Sequence, residues 1–357
     1  MNPTTAYMNM LRAQCVRWPL LTAQDLTKAL YQAFFGCGHF VSDREKGLQW
    51  LIDEEKTLAG APRQSLPPFI EELGESYCRV HLAHMKKEGL APETLFSLFA
   101  LSAQAPSGDM EVFGRLIDTM QELIEQGELA VNKESARAFL REYRAAGCPS
   151  THHSEAFRAA YAPAYRVIRA DYARFLPLFA AIDRLMAKQP SVTVAIEGGS
   201  ASGKSTLGEL LAQVYDCNLF HMDDFFLQMH QRTPERFSQP GGNVDYERFR
   251  EEILDPLKKN EPFTYRVFDC SEMALGASVS VTPKKLNIIE GAYSTHPYFG
   301  KAYDLTCLIE IDEQTQSDRI LRRNGEMMHR RFLNEWIPLE KKYFEATDIR
   351  SRCSLIL

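Results

Sequence analysis

Residues 198–205 read Gly198-Gly199-Ser200-Ala201-Ser202-Gly203-Lys204-Ser205, a match to GxxxxGK[ST], and no other stretch restricts the fold of this chain as tightly. Each position answers a physical need. Glycine lets the backbone curl so that successive N–H groups point at phosphate oxygens. A helix starting at the lysine adds unpaired N–H groups and partial positive charge. Lys204 can reach the β- and γ-phosphates, and the Ser205 hydroxyl is placed for Mg²⁺. The flanks agree. Val192-Thr193-Val194-Ala195-Ile196 is the β-branched apolar run of a buried strand, and Leu207, Leu210, Leu211 and Val214 recur at helical spacing. At average residue frequencies, roughly one chain in a hundred of this length shows the motif by luck. Strand, loop and helix together predict nucleoside-triphosphate binding, with ATP and Mg²⁺ as the expected ligands.

Two textures meet near residue 185. Before it the sequence reads as helix after helix. Thr22-Ala23-Gln24-Asp25 looks like a capping box ahead of Leu26, Leu30 and Phe34, and Pro92-Glu93-Thr94 opens another helix. Phe113, Leu116, Ile117, Met120, Leu123 and Ile124 share one stripe that ends at Gly127. Phe139, Leu140 and Tyr143 continue the theme to Gly147. No strand is expected before residue 190. After it, Leu286–Ile289 and Leu305–Ile309 are apolar strand-like runs, and Asn218–Phe220 a weaker one, with helical stretches between them. The expectation is an all-α N-terminal domain, 1–185, followed by an α/β domain, 186–357, with a doubly wound parallel sheet.

Composition narrows the function classes. The chain has 357 residues, 47 acidic against 41 basic, for a net charge of −6. That balance argues against a general nucleic-acid binder. No apolar run approaches the roughly 20 residues that span a bilayer. The start, Met1-Asn2-Pro3-Thr4-Thr5, lacks the charged and apolar regions of a signal peptide. Eight scattered cysteines without a CxxC pair suit reduced, mostly buried thiols in a cytoplasm.

Three further features carry chemistry. His221-Met222-Asp223-Asp224-Phe225-Phe226 follows the second strand. A carboxylate there projects into the crevice at the strand ends, and Asp223 is the candidate base that orients an acceptor hydroxyl and takes its proton. In Ile288-Ile289-Glu290-Gly291, Glu290 directly follows a buried strand and suits a Mg²⁺-facing position. The basic run Arg319, Arg322, Arg323, Arg330, Arg331 after the last apolar strand could fold over a triphosphate, with Arg322 as the representative.

Taken together, Glu197–Thr206, Met222–Phe226, Glu290-Gly291 and the arginine-rich region resemble the uridine kinase family of P-loop kinases, and Asp223–Phe226 also resembles the nicotinamide riboside kinase branch. The resemblance covers roughly residues 190–335. It implies that Gly198, Gly199, Ser200, Ala201, Ser202, Gly203, Lys204, Ser205 and Thr206 bind the nucleotide, with Lys204 also catalytic. It matches Asp223 to the family's base, Glu290 to its metal-site carboxylate, and Asp245, in Asn243-Val244-Asp245-Tyr246, to the acid that holds sugar hydroxyls. One departure stands out. Phe268 lies where the family carries a base-pocket tyrosine, and no histidine follows at the expected distance. A pocket without these donors reads a pyrimidine edge differently, which puts another hydroxylated metabolite level with uridine as acceptor.

The resemblance implies transfer of the γ-phosphoryl group from ATP to a hydroxyl of a small metabolite, a nucleoside or other ribose-bearing compound. Two alternatives stay open: a P-loop ATPase or nucleotide-sensing module signalling through the helical domain, and a kinase for a non-nucleoside such as pantothenate or glycerate. The expected partner is a small-molecule hydroxyl acceptor, not nucleic acid or membrane, with a homo-oligomer open. Residues 1–185 offer a regulatory, substrate-presenting or dimerising domain. Its Gly36-Cys37-Gly38-His39, Cys78, His81, His84 and His152-His153 do not follow a familiar zinc spacing, though Cys78 and His81 would share a face of a helix.

Overall fold

The computed structural model describes residues 3–37, 43–58, 67–104 and 108–357. The chain divides into two compact units, Met1–Ala180 and Ala181–Leu357.

The first unit is mainly helical, with helices at Pro3–Arg17, Ala23–Phe35, Arg44–Thr57, Pro92–Ala103, Met110–Gln126 and Lys133–Ala145. Local chemistry sets their ends. Thr22 N donates to Asp25 Oδ2 at 2.9 Å, closing the first turn of the second helix. Gly127, at φ 84°, stops the helix Met110–Gln126. The stripe Phe113, Leu116, Ile117, Met120 and Ile124 packs with Leu26, Leu30 and Leu140 in one core.

The expectation of no strand before residue 190 is corrected. β1 (Ile70–Leu73), β2 (Tyr77–His81) and β3 (Tyr165–Arg169) form an antiparallel sheet in the order β1-β2-β3. Their alternation is hidden because β2 is buried at all five positions, Arg79 and His81 included. The partners come from elsewhere. Glu71 accepts from His81 Nε2 and from Gln14 Nε2, both at 2.8 Å, and Arg79 Nε donates to Gln32 Oε1 at 3.0 Å. Buried polar groups survive only when paired in this way. Cys78 and His81 therefore lie on a strand, where a separation of three puts them on opposite faces, rather than on one face of a helix. Among the described residues no group of three or more His, Cys, Asp or Glu side chains is placed to hold a metal ion. Gly38 and His39 lie outside the described residues. All eight cysteines are free thiols, but only Cys78 and Cys307 are fully buried and Cys270 is exposed, fewer buried than expected.

The second unit is an α/β fold. A five-stranded parallel sheet has the order β10-β9-β4-β8-β5, built from β4 (Val192–Gly198), β5 (Cys217–His221), β8 (Leu286–Glu290), β9 (Leu305–Ile309) and β10 (Leu355–Ile356). An antiparallel hairpin of β6 (Phe263–Asp269) and β7 (Ala274–Val281) stands apart from it. The apolar β4 and β8 are buried almost throughout, as a central parallel pair requires. From β4 the chain runs out to β5, returns to β8, and crosses to β9 and β10. The carboxyl ends of β4, β8 and β5 open on one crevice, with Ile196 opposite Glu290 and Glu290 opposite His221. Among the described residues no helix is long and apolar enough to cross a membrane.

Candidate active site at the phosphate-binding loop

The loop leaves β4 at Gly198 and enters the helix Lys204–Val214 at Gly203. Gly198 has φ 155°, and a Cβ there would meet the Ile309 carbonyl oxygen at 2.7 Å. Gly203, at φ 104°, caps the helix in a left-handed conformation. Ala201 also takes a positive φ, 58°, which costs a side chain about 1 kcal/mol or more and is the kind of strain that gathers at functional loops. Lys204 is buried, and its Nζ donates to Gly199 O at 2.8 Å, folding the ammonium against the loop. Ser205 and Thr206 are exposed at the helix start, where backbone N–H groups lack helical partners. The Ser202 hydroxyl is buried with no hydrogen-bond partner among the described residues. A glycine-bent loop, the unpaired amides at the start of its helix, the Ser202 hydroxyl and one ammonium fit a polyphosphate.

Two carboxylates face this loop from the neighbouring strand ends. Asp223 stands just past β5. It is open to the crevice, accepts no hydrogen bond from protein among the described residues, and is crowded by protein on its other sides. Burial raises its pKa; Lys204 opposes the rise and Glu290 adds to it. Glu290 ends β8, is 4% exposed, and accepts from His221 Nδ1 at 2.6 Å. That hydrogen bond is the main reason the His221 pKa is raised. Ser205 and Glu290 carry hard oxygens of the kind that could serve a Mg²⁺ ion, which takes one or two ligands from protein when phosphates provide the rest. Close backbone approach fixes the pair. Gly291, at φ 144°, packs so tightly on Met222 that a Cβ would lie 2.5 Å from the Met222 Cβ.

The other sequence-predicted residues are placed differently. Asp245 is buried as the N-cap of the short helix Tyr246–Phe249; it accepts from Arg248 N at 3.1 Å and from Gln231 Nε2 at 2.8 Å. Both of its oxygens are thus engaged by the fold. Arg322 is exposed and donates to Asp318 O one turn back on the helix Glu313–Arg331. Of the arginine run, Arg319 is the member at the loop, donating to Ala201 O at 3.2 Å and Ser202 O at 3.3 Å. It holds loop carbonyls. Phe268 is buried on β6, 6.5 Å from Phe226 between ring centroids.

Sequence reasoning gave no role to Glu197, His221, Arg248 or Glu340. Glu197 is fully buried. It accepts from Gly198 N, Tyr293 N and Thr295 N at 2.9–3.0 Å, and from Tyr343 OH at 3.2 Å, fastening the root of the loop to the segment after β8. Arg248 is buried over the Phe225 ring and donates to Asp224 O and Arg266 O at 2.7 and 2.6 Å, bracing the turn that carries Asp223. Only Glu197 had a local signal, an acid inside an apolar strand. Beside the loop, a cavity of about 660 Å³ is bounded by Gly199, Ser202, Ile309, Gln316, Ile337 and Phe344.

No protein-family model matches the chain, and no curated protein matches it. Among solved structures it is similar to a possible uridine kinase from Bacillus stearothermophilus, at 20% identity over 50% of this chain and 98% of that one, with a TM-score of 0.39. A candidate fructose transport system kinase from Silicibacter sp. TM1040 matches at 24% identity over 49% of this chain and 94% of that one, TM-score 0.41. Deoxyadenosine kinase from M. mycoides matches at 14% identity over 46% and 89%, TM-score 0.24. At these TM-scores the likenesses do not decide the function, which is read from the loop and its carboxylates.

Proposed function

We propose that the second unit is an ATP-dependent phosphotransferase that moves the γ-phosphoryl group to a hydroxyl of a small metabolite, a nucleoside or another ribose-bearing compound. The observation that carries this reading is Asp223: a carboxylate that accepts no hydrogen bond among the described residues, open to the crevice, and within electrostatic reach of Lys204. A hydrolysing switch needs only to orient water. A carboxylate whose pKa burial raises is suited to accept an alcohol proton as the oxygen attacks.

Each residue then has a task. Amides of Lys204, Ser205 and Thr206 and the Lys204 ammonium hold the phosphates. Ser205 and Glu290 would hold Mg²⁺, which when bound neutralises charge on the β- and γ-phosphates. The cavity beside Gly199, lined by Ile309, Ile337 and Phe344 but also by acids such as Glu313 and Glu345, suits the nucleoside end of the donor in size. Asp223 aligns the acceptor hydroxyl and removes its proton.

The test is ADP release by the full chain with ATP and Mg²⁺, with and without a panel of hydroxylated metabolites, each product read for the mass of one added phosphoryl group. Release that depends on a ribose-bearing acceptor is expected. Steady release without any acceptor would overturn the reading in favour of an ATPase.

A further inference from the structure

All three polar groups of Ser200 are held by the segment that follows β9. Ser200 N donates to Glu340 Oε2 at 2.9 Å, and Ser200 Oγ donates to Glu340 Oε1 at 2.6 Å. Gln316 Nε2 donates to Ser200 O at 2.8 Å. With Arg319 on the carbonyls of Ala201 and Ser202, three successive loop residues are gripped from two helices, Glu313–Arg331 and Ile337–Thr347.

Glu340 is an unexpected choice for this position. It is 5% exposed, and besides the Ser200 donors it is balanced only at longer range by Lys204, with Asp223 opposing. A buried carboxylate beside a polyphosphate site costs desolvation and adds like charge. What it provides is a two-oxygen acceptor that takes the N–H and the O–H of one residue at once, fixing both backbone and side chain. The Ser200 amide is thereby committed to Glu340. The amides at the start of the helix Lys204–Val214 stay available for phosphate. Docking of Glu340's own helix has a separate anchor one turn later, the Tyr343–Glu197 hydrogen bond at 3.2 Å.

We propose that Glu340 is a positioning residue for the phosphate loop: by clamping Ser200 it holds the curvature the nucleotide needs and sets nucleotide affinity through Ser200. This rests on the reading of residues 198–206 as a nucleotide site. The segment 313–347 then acts as a brace behind the loop as well as a cover for the cavity.

The experiment is calorimetric titration of the full chain with ATP and Mg²⁺, with thermal unfolding on the same samples. Glu340→Ala should weaken ATP binding roughly tenfold, as expected for stranding two donors, with a small change in melting temperature because Tyr343 still anchors the helix. Glu340→Gln should restore affinity to within about threefold. Its amide oxygen accepts from Ser200 N–H, and its NH₂ donates to a Ser200 hydroxyl that reverses its role. Ser200→Ala should weaken binding about threefold and add nothing in the Glu340→Ala background. Unchanged affinity in Glu340→Ala, or equal losses in Glu340→Ala and Glu340→Gln, would overturn the proposal. Should Glu340→Ala not fold, Ser200→Ala alone decides, and unchanged affinity there sinks it. Wild type that binds ATP but phosphorylates no acceptor refutes the phosphotransferase reading, while the binding series still decides the role of Glu340. Wild type that binds no ATP refutes both.

Discussion

His221 donates through Nδ1 to Glu290 Oε1 at 2.6 Å across the register pair that joins the carboxyl ends of β5 and β8. The bond engages one Glu290 oxygen and orients the other, the oxygen that would meet a cation in the proposed metal site. Losing a partner of this kind costs a metal site roughly 10–100-fold in affinity or activity. Glu290→Gln and His221→Ala should both raise the free magnesium needed for half-maximal turnover, by roughly tenfold or more. Binding of ATP without magnesium should be unaffected. Coincident magnesium curves for wild type and Glu290→Gln would remove Glu290 from the metal site.

Asp223→Asn should lower kcat by about 10²–10⁴-fold, the usual contribution of a positioned base. The Kd for ATP should stay level or tighten slightly, because a carboxylate near the phosphates is lost. Single-turnover transfer and equilibrium binding, measured on the same preparation, separate the two effects. Normal turnover would dismiss Asp223 as the base.

Gly291→Ala tests how the crevice is spaced. The new Cβ would fall 2.5 Å from Met222 Cβ and 3.2 Å from Met222 N, at a backbone φ of 144° that side chains avoid. Met222 directly precedes Asp223, so any relief of the clash moves the candidate base. A loss of about 1–3 kcal/mol in denaturant unfolding is expected, with turnover falling more than ATP binding. A variant as stable and as active as wild type would show that this approach is not constrained.

The first unit carries its own acid sensitivity. His153 donates from Nδ1 to Asp25 Oδ1 at 2.8 Å and accepts from Tyr165 OH at 2.6 Å. Burial lowers the His153 pKa from 6.5 to about 4. Burial works against ionised Asp25, but hydrogen bonds from His153, Ser154 and Thr22 hold it at about 2, below its ordinary 3.8. Between pH 6.5 and about 4 the unfolded chain binds the extra proton, so stability falls with falling pH, by up to about 3 kcal/mol. Asp25 adds a further loss below about pH 4. Thermal unfolding across this range should show a shallower pH slope for His153→Asn than for wild type. Identical slopes would exclude His153 as the source.

Where a feature is local, the sequence already contained it. Residues 198–205 are contiguous, and their flanking strand and helix follow from β-branched residues before them and the 3, 4 spacing after them. Asp223 and Glu290 were candidates because each lies at the carboxyl end of a strand-like run, and a parallel sheet gathers such ends on one edge. The capped helices of the first unit were legible for the same reason: Thr22 and Asp25 are three residues apart, and Gly127 directly follows its helix.

Other features depend on partners far away in the chain. β2 did not read as a strand because Arg79 and His81 interrupt its apolar pattern, and what makes their burial tolerable is Glu71 on β1 and Gln32 on a helix. Nothing local to Asp245 shows that Gln231 and the Arg248 amide engage its oxygens within the fold. Arg319 and Arg322 are indistinguishable as letters, and a difference in helical facing sends one to the loop carbonyls and the other to solvent. Ser200 and Glu340 are separated by 140 residues. A hydrogen bond acts over about 3 Å and carries no trace in local propensity or periodicity. The phosphate loop was therefore written into eight neighbouring residues, whereas the brace behind it existed only once the whole unit had folded.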